Sequence, residues 1–454
     1  MKIIIVGGGK IGATLIESLV NEGHDITLID RDQKIIDEIS NIYDVMCVCG
    51  NAVDNDTLNE AQVSKAELLI SVTDSDEINM LICFIAKKMG VGNTVARIRN
   101  PEFNDKRMAQ LKQYLDISLI INPELLAAQE IFNILKLPAA VNIETFSRRN
   151  FSMIELVIKE GSHLDGKSLI ELRKKYNLNF LISVVKREND IYIPDGNFVL
   201  KCGDHICLTA NFVEIQKLLK ELGLYKKHSK SAMILGATTT SYYLANMLLR
   251  SGTDVTIIDK DINRCNQFAE KLPEAVIING DGAEQEVLME EGINDVDAFA
   301  ALTGIDEENI LISIFAQSQN VPRVVAKVNR NELASMAEKL GLDSIISPKK
   351  AASNVVTSYA RALQNSLGSN VETMYRLMDG SVEALEFNVQ SDFKAIHIPL
   401  KEMKLKKDVL IAGIIRKRKA FVPTGLDEII AGDRIVVIAK SSEEKMNDLA
   451  DILR

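Results

Sequence analysis

The chain is one unit written twice. Ile3-Ile4-Ile5-Val6 runs into Gly7-Gly8-Gly9-Lys10-Ile11-Gly12, and Met233-Ile234-Leu235-Gly236 opens the same strand and turn, 236 minus 7 or 229 residues later. Asp30 matches Asp259 at the same offset, and Thr73, Asn79 and Arg97 match Thr303, Asn309 and Lys327 at 230. Pro194-Asp195-Gly196 with Gly203-Asp204 answers to Pro423-Thr424-Gly425 with Gly432-Asp433, back at 229. So constant an offset means tandem duplication of a two-part unit, and any fold must hold each part twice.

A length of 454 residues exceeds a single core and suits three or four domains. The longest apolar run, Met80 to Ala86, is too short to span a bilayer. The N-terminus enters a strand directly, without the basic and apolar segments of a secretory signal, so a cytosolic protein is expected. The net charge of −10 argues against broad binding to nucleic acid, which needs a basic face. The six cysteines form no C-x-x-C pair and stand mostly in apolar, strand-like contexts, so small buried thiols are expected rather than disulfides. Five scattered histidines lack metal-ligand spacing.

Residues 2–6 are continuously apolar and β-branched, as a strand buried on both faces of a parallel sheet should be. Ile11, Leu15, Ile16 and Leu19 then recur at helical spacing, and a second strand runs to Asp30, completing a right-handed βαβ unit. The alternation continues with helix 32–41, strand 45–49, helix 54–62, strand 67–72, helix 77–89, strand 94–99, helix 102–114 and strand 117–121. This predicts an α/β fold, a Rossmann-like doubly wound sheet of about six parallel strands over 1–122, repeated over 229–346. Connecting helices are expected at 123–140 and 347–368. The first is apolar on more than one face, which suits either an arm crossing to a partner subunit or domain, or a helix buried in its own domain. Small α+β domains follow at 141–228 and 369–454, reading as strand, helix, short strands with turns, and a closing helix from 151 and from 383.

G-x-G-x-x-G is a weak signal alone, but here it follows a predicted strand, opens a predicted helix and has an acid ending the next strand. Gly7 permits the turn, Gly9 lets backbone approach a pyrophosphate, and Gly12 lets helix and strand pack closely; the helix N-terminus offers free N–H groups. Asp30 would accept ribose hydroxyls and favour NAD over NADP, a preference that Arg31 weakens. Thr73 and Asp74 follow the fourth strand at the edge where ligands lie, and Gly50-Asn51 either approaches the adenine or turns the chain. Arg97 would meet a phosphate or sit in an ion pair.

In the second half Thr238 replaces Gly9 and Ser241 replaces Gly12, so side chains stand where bare backbone should approach a pyrophosphate. The hydroxyls of Thr238, Thr239 and Thr240 and the amine of Lys327 would hold a mononucleotide phosphate, with Asp259 on the ribose.

With its doubled Gly-x-Gly-x-x-Gly…Asp30, Val72-Thr73…Asp76-Glu77-x-Asn79, Ala96-Arg97 and Pro194-x-Gly196…Gly203-Asp204, the whole chain resembles the TrkA family of cytosolic regulatory subunits of Trk potassium-uptake systems. Members carry two RCK units, each a nucleotide-binding N-domain and a small C-domain. The resemblance implies binding of NAD(H) and of ATP or ADP, assembly into a tetrameric ring, and docking as a peripheral protein on the inner face of the plasma membrane against a potassium-translocating subunit. It places a first nucleotide on Gly7, Gly8, Gly9, Lys10, Ile11, Asp30, Thr73, Asp74 and Arg97, and a second on Gly236, Ala237, Thr238, Thr239, Thr240, Asp259, Thr303, Gly304 and Lys327.

The residues leave two other classes open. An NAD-dependent oxidoreductase would need a substrate pocket and a proton donor or acceptor, yet the chain has no Tyr-x-x-x-Lys and its small domains leave little room. A scaffold with vestigial sites is the third reading, against which the intact first loop argues. The one dense basic run, Arg416-Lys417-Arg418-Lys419, reads as a solvated hairpin or as a face for anionic lipid or phosphate.

Overall fold

The computed structural model describes residues 1–101, 105–136, 142–146, 151–176, 178–188, 190–222, 230–342, 344–366, 371–378, 381–417, 419–440, 446 and 448–454. Expected features at 102–104, at 137–140 and at Arg418 lie outside the described residues.

In chain order the first half runs β1 Lys2–Val6, α1 Lys10–Asn21, β2 Asp25–Asp30, α2 Gln33–Ile42, β3 Met46–Cys49, α3 Asn55–Glu60, β4 Leu68–Ser71, α4 Asp76–Lys88, β5 Asn93–Arg97, α5 Asp105–Tyr114, β6 Leu119–Ile121 and α6 Pro123–Lys136. Then come β7 Asn142–Phe146, β8 Phe151–Val157, α7 Leu169–Tyr176, β9 Phe180–Arg187, β10 Asp190–Tyr192, β11 His205–Ala210 and α8 Phe212–Glu221. The second half repeats this with β12 Ser231–Leu235, α9 Thr239–Arg250, β13 Asp254–Asp259, α10 Ile262–Lys271, β14 Val276–Asn279, α11 Gln285–Glu290, β15 Ala298–Ala301, α12 Asp306–Ser318, β16 Val324–Lys327, α13 Asn331–Lys339, β17 Ile345–Ile346 and α14 Pro348–Ser366. It closes with β18 Val371–Leu377, β19 Val382–Asn388, β20 Val409–Arg416, β21 Lys419–Phe421 and β22 Arg434–Lys440.

The large sheets have the order β3-β2-β1-β4-β5-β6 and β14-β13-β12-β15-β16-β17. All their pairings are parallel, and the order reverses beside β1 and β12, which opens a crevice at the carboxyl ends of the strands. Ile3, Ile4 and Ile5 are fully buried, the burial on both faces that their continuous apolar run requires.

The chain divides into two compact units that collect like with like. One holds 1–132 and 229–360 and therefore both large sheets; the other holds 133–228 and 361–454 and both small ones. In the first unit the halves are stitched together by polar contacts. Tyr243 on α9 donates to the Arg99 carbonyl at 3.0 Å and accepts from Asn122 at 3.0 Å. On α14, Ser353 meets Ser18 of α1 at 2.8 Å and Tyr359 meets Asn93 of β5 at 3.1 Å. The connecting helix of the second half thus touches α1 and β5 of the first half.

In the other unit the two small antiparallel sheets share a core of Phe151, Met153, Val184 and Cys207 with Val382, Ala384, Val436 and Ile438. The repeated Gly-Asp turn earns its place here. Buried Asp204 takes two guanidinium bonds from Arg187 at 2.7 and 2.8 Å and an amide bond from Lys201, and Asp433 does the same with Arg416 and Ile430. Such bidentate pairs are the strong, geometrically specific kind. The head of the basic run is therefore committed to Asp433, while Lys417 turns the hairpin at φ 47°.

Three expectations need correction. Each small domain gains a strand ahead of the pattern read from 151 and from 383, β7 and β18, paired at the sheet edge. In the second small domain the first expected helix shrinks to a 3-10 turn at Leu400–Glu402, while the closing segment, described only in part, holds a 3-10 turn at Leu449–Ile452. There the Leu400, Lys401 and Lys406 amides bond to Asp427, Gly425 and Ile452, so donors that would propagate a helix are spent on neighbouring segments. Of the cysteines only Cys83, Cys207 and Cys265 are buried; Cys49 and Cys202 are exposed, one ending an edge strand and one in a turn.

Candidate nucleotide-binding site

A crevice of about 640 Å³ opens where β1, β2, β3 and β4 end. Of the expected residues it brings together Gly7, Gly9, Asp30, Arg31, Gly50, Asn51, Thr73 and Asp74. Gly8, Lys10, Ile11, Gly12 and Arg97 are absent from its lining. Asp32, Ile35, Ala52, Val53, Val72, Ser75, Ile78 and Ile82 complete it, residues whose apolar or turn character gave no signal of a ligand.

Each glycine has a separate reason. Gly7 has φ +99°, and a Cβ there would meet the Val72 and Thr73 backbone at 3.1 Å. A Cβ on Gly12 would stand 1.9 Å from the Gly7 carbonyl oxygen, which is the close packing expected of it. Gly9 has ordinary φ −62° and open space around it, so the fold itself does not require a glycine there. It is the N-cap of α1 and no side chain caps that helix, leaving the first-turn amides to an incoming anion.

Asp30 carries a structural load as well. One carboxylate oxygen accepts the Gly8 amide at 2.6 Å and the other the Asp32 amide at 2.9 Å. Each oxygen keeps lone-pair capacity for a hydroxyl. Beneath Thr73, fully buried Asn79 accepts from Ser71 Oγ and from the amide and hydroxyl of Thr73, and donates to the carbonyls of Thr73 and Arg97. The ends of β4 and β5 are clamped by this one side chain, which the repeat motif contained but whose role was not legible.

Of the two roles expected for Arg97, a phosphate contact or an ion pair, its side chain makes an ion pair. Its guanidinium is buried, pairs with Glu124 of α6 at 3.4 Å, and has its pKa lowered chiefly by burial. Lys327, its counterpart, donates to the Leu302 carbonyl at 3.1 Å, and burial likewise lowers its pKa.

The second crevice encloses about 280 Å³ and gathers Gly236, Thr238, Asp259, Thr303 and Gly304, together with Lys260, Asp261, Arg264, Asp281 and Glu308. Ala237, Thr239, Thr240 and Lys327 are outside its lining. Asp259 repeats the Asp30 pattern, accepting the Ala237 amide at 2.6 Å and the Asp261 amide at 2.8 Å. Asn309 repeats the clamp on Thr303 and Lys327. Two hydroxyls are spent internally, however: Thr238 Oγ1 caps the Ser241 amide at 3.3 Å, and Ser241 Oγ donates to the Gly236 carbonyl. Of the three threonines expected at a phosphate, Thr238 is thus engaged by its own helix.

The TrkA-N domain model matches residues 3–123 and 232–348, and the TrkA-C domain model matches 153–223 and 384–452. This chain belongs to the TrkA family. Over 99% of its length it is 32% identical to the Trk system potassium uptake protein TrkA homolog of Archaeoglobus fulgidus, all of which is covered. The TrkA of Vibrio alginolyticus is 29% identical over 96% of this chain and 93% of its own. Among solved structures, the GsuK RCK domain superposes with a TM-score of 0.63 at 17% identity, covering 97% of this chain and 92% of that one. The GsuK channel bound to NAD gives 0.63 at 17% identity over 97% and 77%. The TrkA-family fold therefore accounts for both halves, as the two parallel and two antiparallel sheets require. No described helix is long and apolar enough to cross a membrane.

Proposed function

We propose that this protein is a non-catalytic regulatory subunit that reads NAD(H) and adenine nucleotides and gates a potassium-translocating membrane partner. The domain that does so is 1–122; 229–346 is its duplicate, and 141–228 and 369–454 are their small companions. The observation that carries the reading is the uncapped N-terminus of α1 at Gly9, facing a crevice with Asp30 at its far wall, in a chain of the TrkA family. The relatives' names attach them to potassium uptake, and a structural neighbour is titled as bound to NAD and another as bound to ADP.

In this reading the amides of Gly9, Lys10 and Ile11 take the pyrophosphate and Asp30 takes the ribose hydroxyls. ATP and ADP compete for the same cradle. A ligand shifts a conformational equilibrium only through its differential affinity for the two states, so the nucleotides act by exchange and no bond is broken. Exposed apolar side chains, Leu81 and Phe84 on α4, Leu311 on α12 and Met336 on α13, offer surface for other copies in a tetrameric ring on the cytosolic side of the membrane. Calorimetric titration of wild type and Asp30→Ala with NADH, NAD, ATP and ADP, beside a hydride-turnover assay, tests this. Nucleotide binding without turnover is expected, and oxidation or reduction of a simple substrate would overturn it.

A further inference from the structure

We propose that the second crevice rejects a pyrophosphate and takes an unphosphorylated nucleoside instead, with Thr238 and Glu308 setting the selectivity. The inference rests on the reading of the first crevice as a dinucleotide site, because it is the difference between the two that carries it.

Three independent features separate them. At the N-terminus of α1, Gly9 leaves open space and no side chain caps the helix; at the N-terminus of α9, Thr238 stands in its place, its Oγ1 accepting the Ser241 amide at 3.3 Å and donating to Ser241 Oγ at 2.9 Å, so a side chain occupies the mouth and caps the third amide of the helix. Next, Ile78 lines the first crevice and its counterpart Glu308 lines the second, where its carboxylate lies 3.0 Å from Thr303 Oγ1. A phosphate brought to that threonine would face a like charge at short range. Finally, about 280 Å³ is less than half of the first crevice's 640 Å³ and falls below the usual range for drug-sized ligands. The cations nearby do not reverse the balance: Arg264 is engaged by Asp261 at 3.5 Å and Asp259 at 3.9 Å, and Lys260 is exposed beside Asp259. What remains is Asp259 at the position that Asp30 holds, suited to the vicinal hydroxyls of a ribose and to little beyond the base and sugar.

The test counts equivalents by calorimetry on the full chain. Wild type is expected to bind one NADH per chain, and Thr238→Gly with Glu308→Ile two, glycine being a tolerated N-cap so that α9 survives the change. Adenosine titrated into NADH-saturated wild type is expected to bind one further equivalent, lost in Asp259→Ala. Two NADH equivalents on wild type, a double variant with unchanged thermal midpoint that still binds one, or no uptake of adenosine would each overturn the proposal. If wild type binds no NADH, the reading of the first crevice fails, and a double variant that gains one equivalent still upholds this one.

Discussion

The carboxylate of Asp30 holds the Gly8 amide at 2.6 Å, so the acid at the end of β2 is part of the glycine turn it faces. Asp259 holds Ala237 at the same distance in the second half, where the glycines beyond that turn have been lost. The bond therefore belongs to the turn first, and a ribose bound as proposed would use an acid already in place. Replacing Asp30 by Ala removes two amide acceptors and a ribose acceptor together. We expect a loss of about 1–3 kcal/mol of stability and at least a roughly tenfold loss of NADH affinity, measured by thermal unfolding and calorimetry.

Gly9 and Gly12 should part company when substituted. Gly12→Ala drives a Cβ into the Gly7 carbonyl and is expected to cost about 1–3 kcal/mol. Gly9→Thr places its side chain in open space at φ −62°, so the thermal midpoint should hold or rise while NADH binding falls. Equal destabilisation by both would show that Gly9 serves the fold.

Arg97 and Glu124 form a mostly buried pair, so breaking it should register as stability. Glu124→Leu strands the guanidinium and is expected to cost about 3 kcal/mol, with Arg97→Leu added to it recovering part of that. NADH affinity of the double variant should stay within about twofold, a change of under ~0.5 kcal/mol. A collapse of affinity would return Arg97 to the phosphate.

Burial raises the Glu130 carboxyl on α6 from 4.5 to about 7. The folded state then holds a proton that the unfolded state releases, so this group's contribution is fully present below pH 4.5 and is lost as pH rises through about 7. Glu130→Gln should therefore gain stability over wild type across that window and level off above it, by about 1–3 kcal/mol. Denaturation curves at pH 5 and at pH 8 give the comparison, and a difference independent of pH would contradict the shift.

Much of this was legible because parallel strands buried on both faces leave unbroken apolar runs, such as Ile3 to Val6, and because glycine turns leave their own marks. Asp30 could be placed from its position at a strand end. The partner of Arg97 could not, since Glu124 lies 27 residues on and reaches it only after β6 has turned the chain. Thr238 was visible but ambiguous: a hydroxyl at a helix start can greet a phosphate or cap the helix itself, and only geometry distinguishes them. β7 and β18 are edge strands whose existence depends on the neighbour they pair with. Nor does any local pattern say that like domains will seek each other out across the chain.

That pairing of like with like has an evolutionary corollary. When identical subunits associate, symmetry copies every substitution onto both sides of the contact. Here Tyr243 meets Asn122, and Ser353 meets Ser18, as partners on one covalent thread. Dilution cannot part them, because the tether keeps their mutual concentration at roughly millimolar or above. Fusion has also freed each copy to drift alone, so that positions 238 and 308 differ in character from 9 and 78.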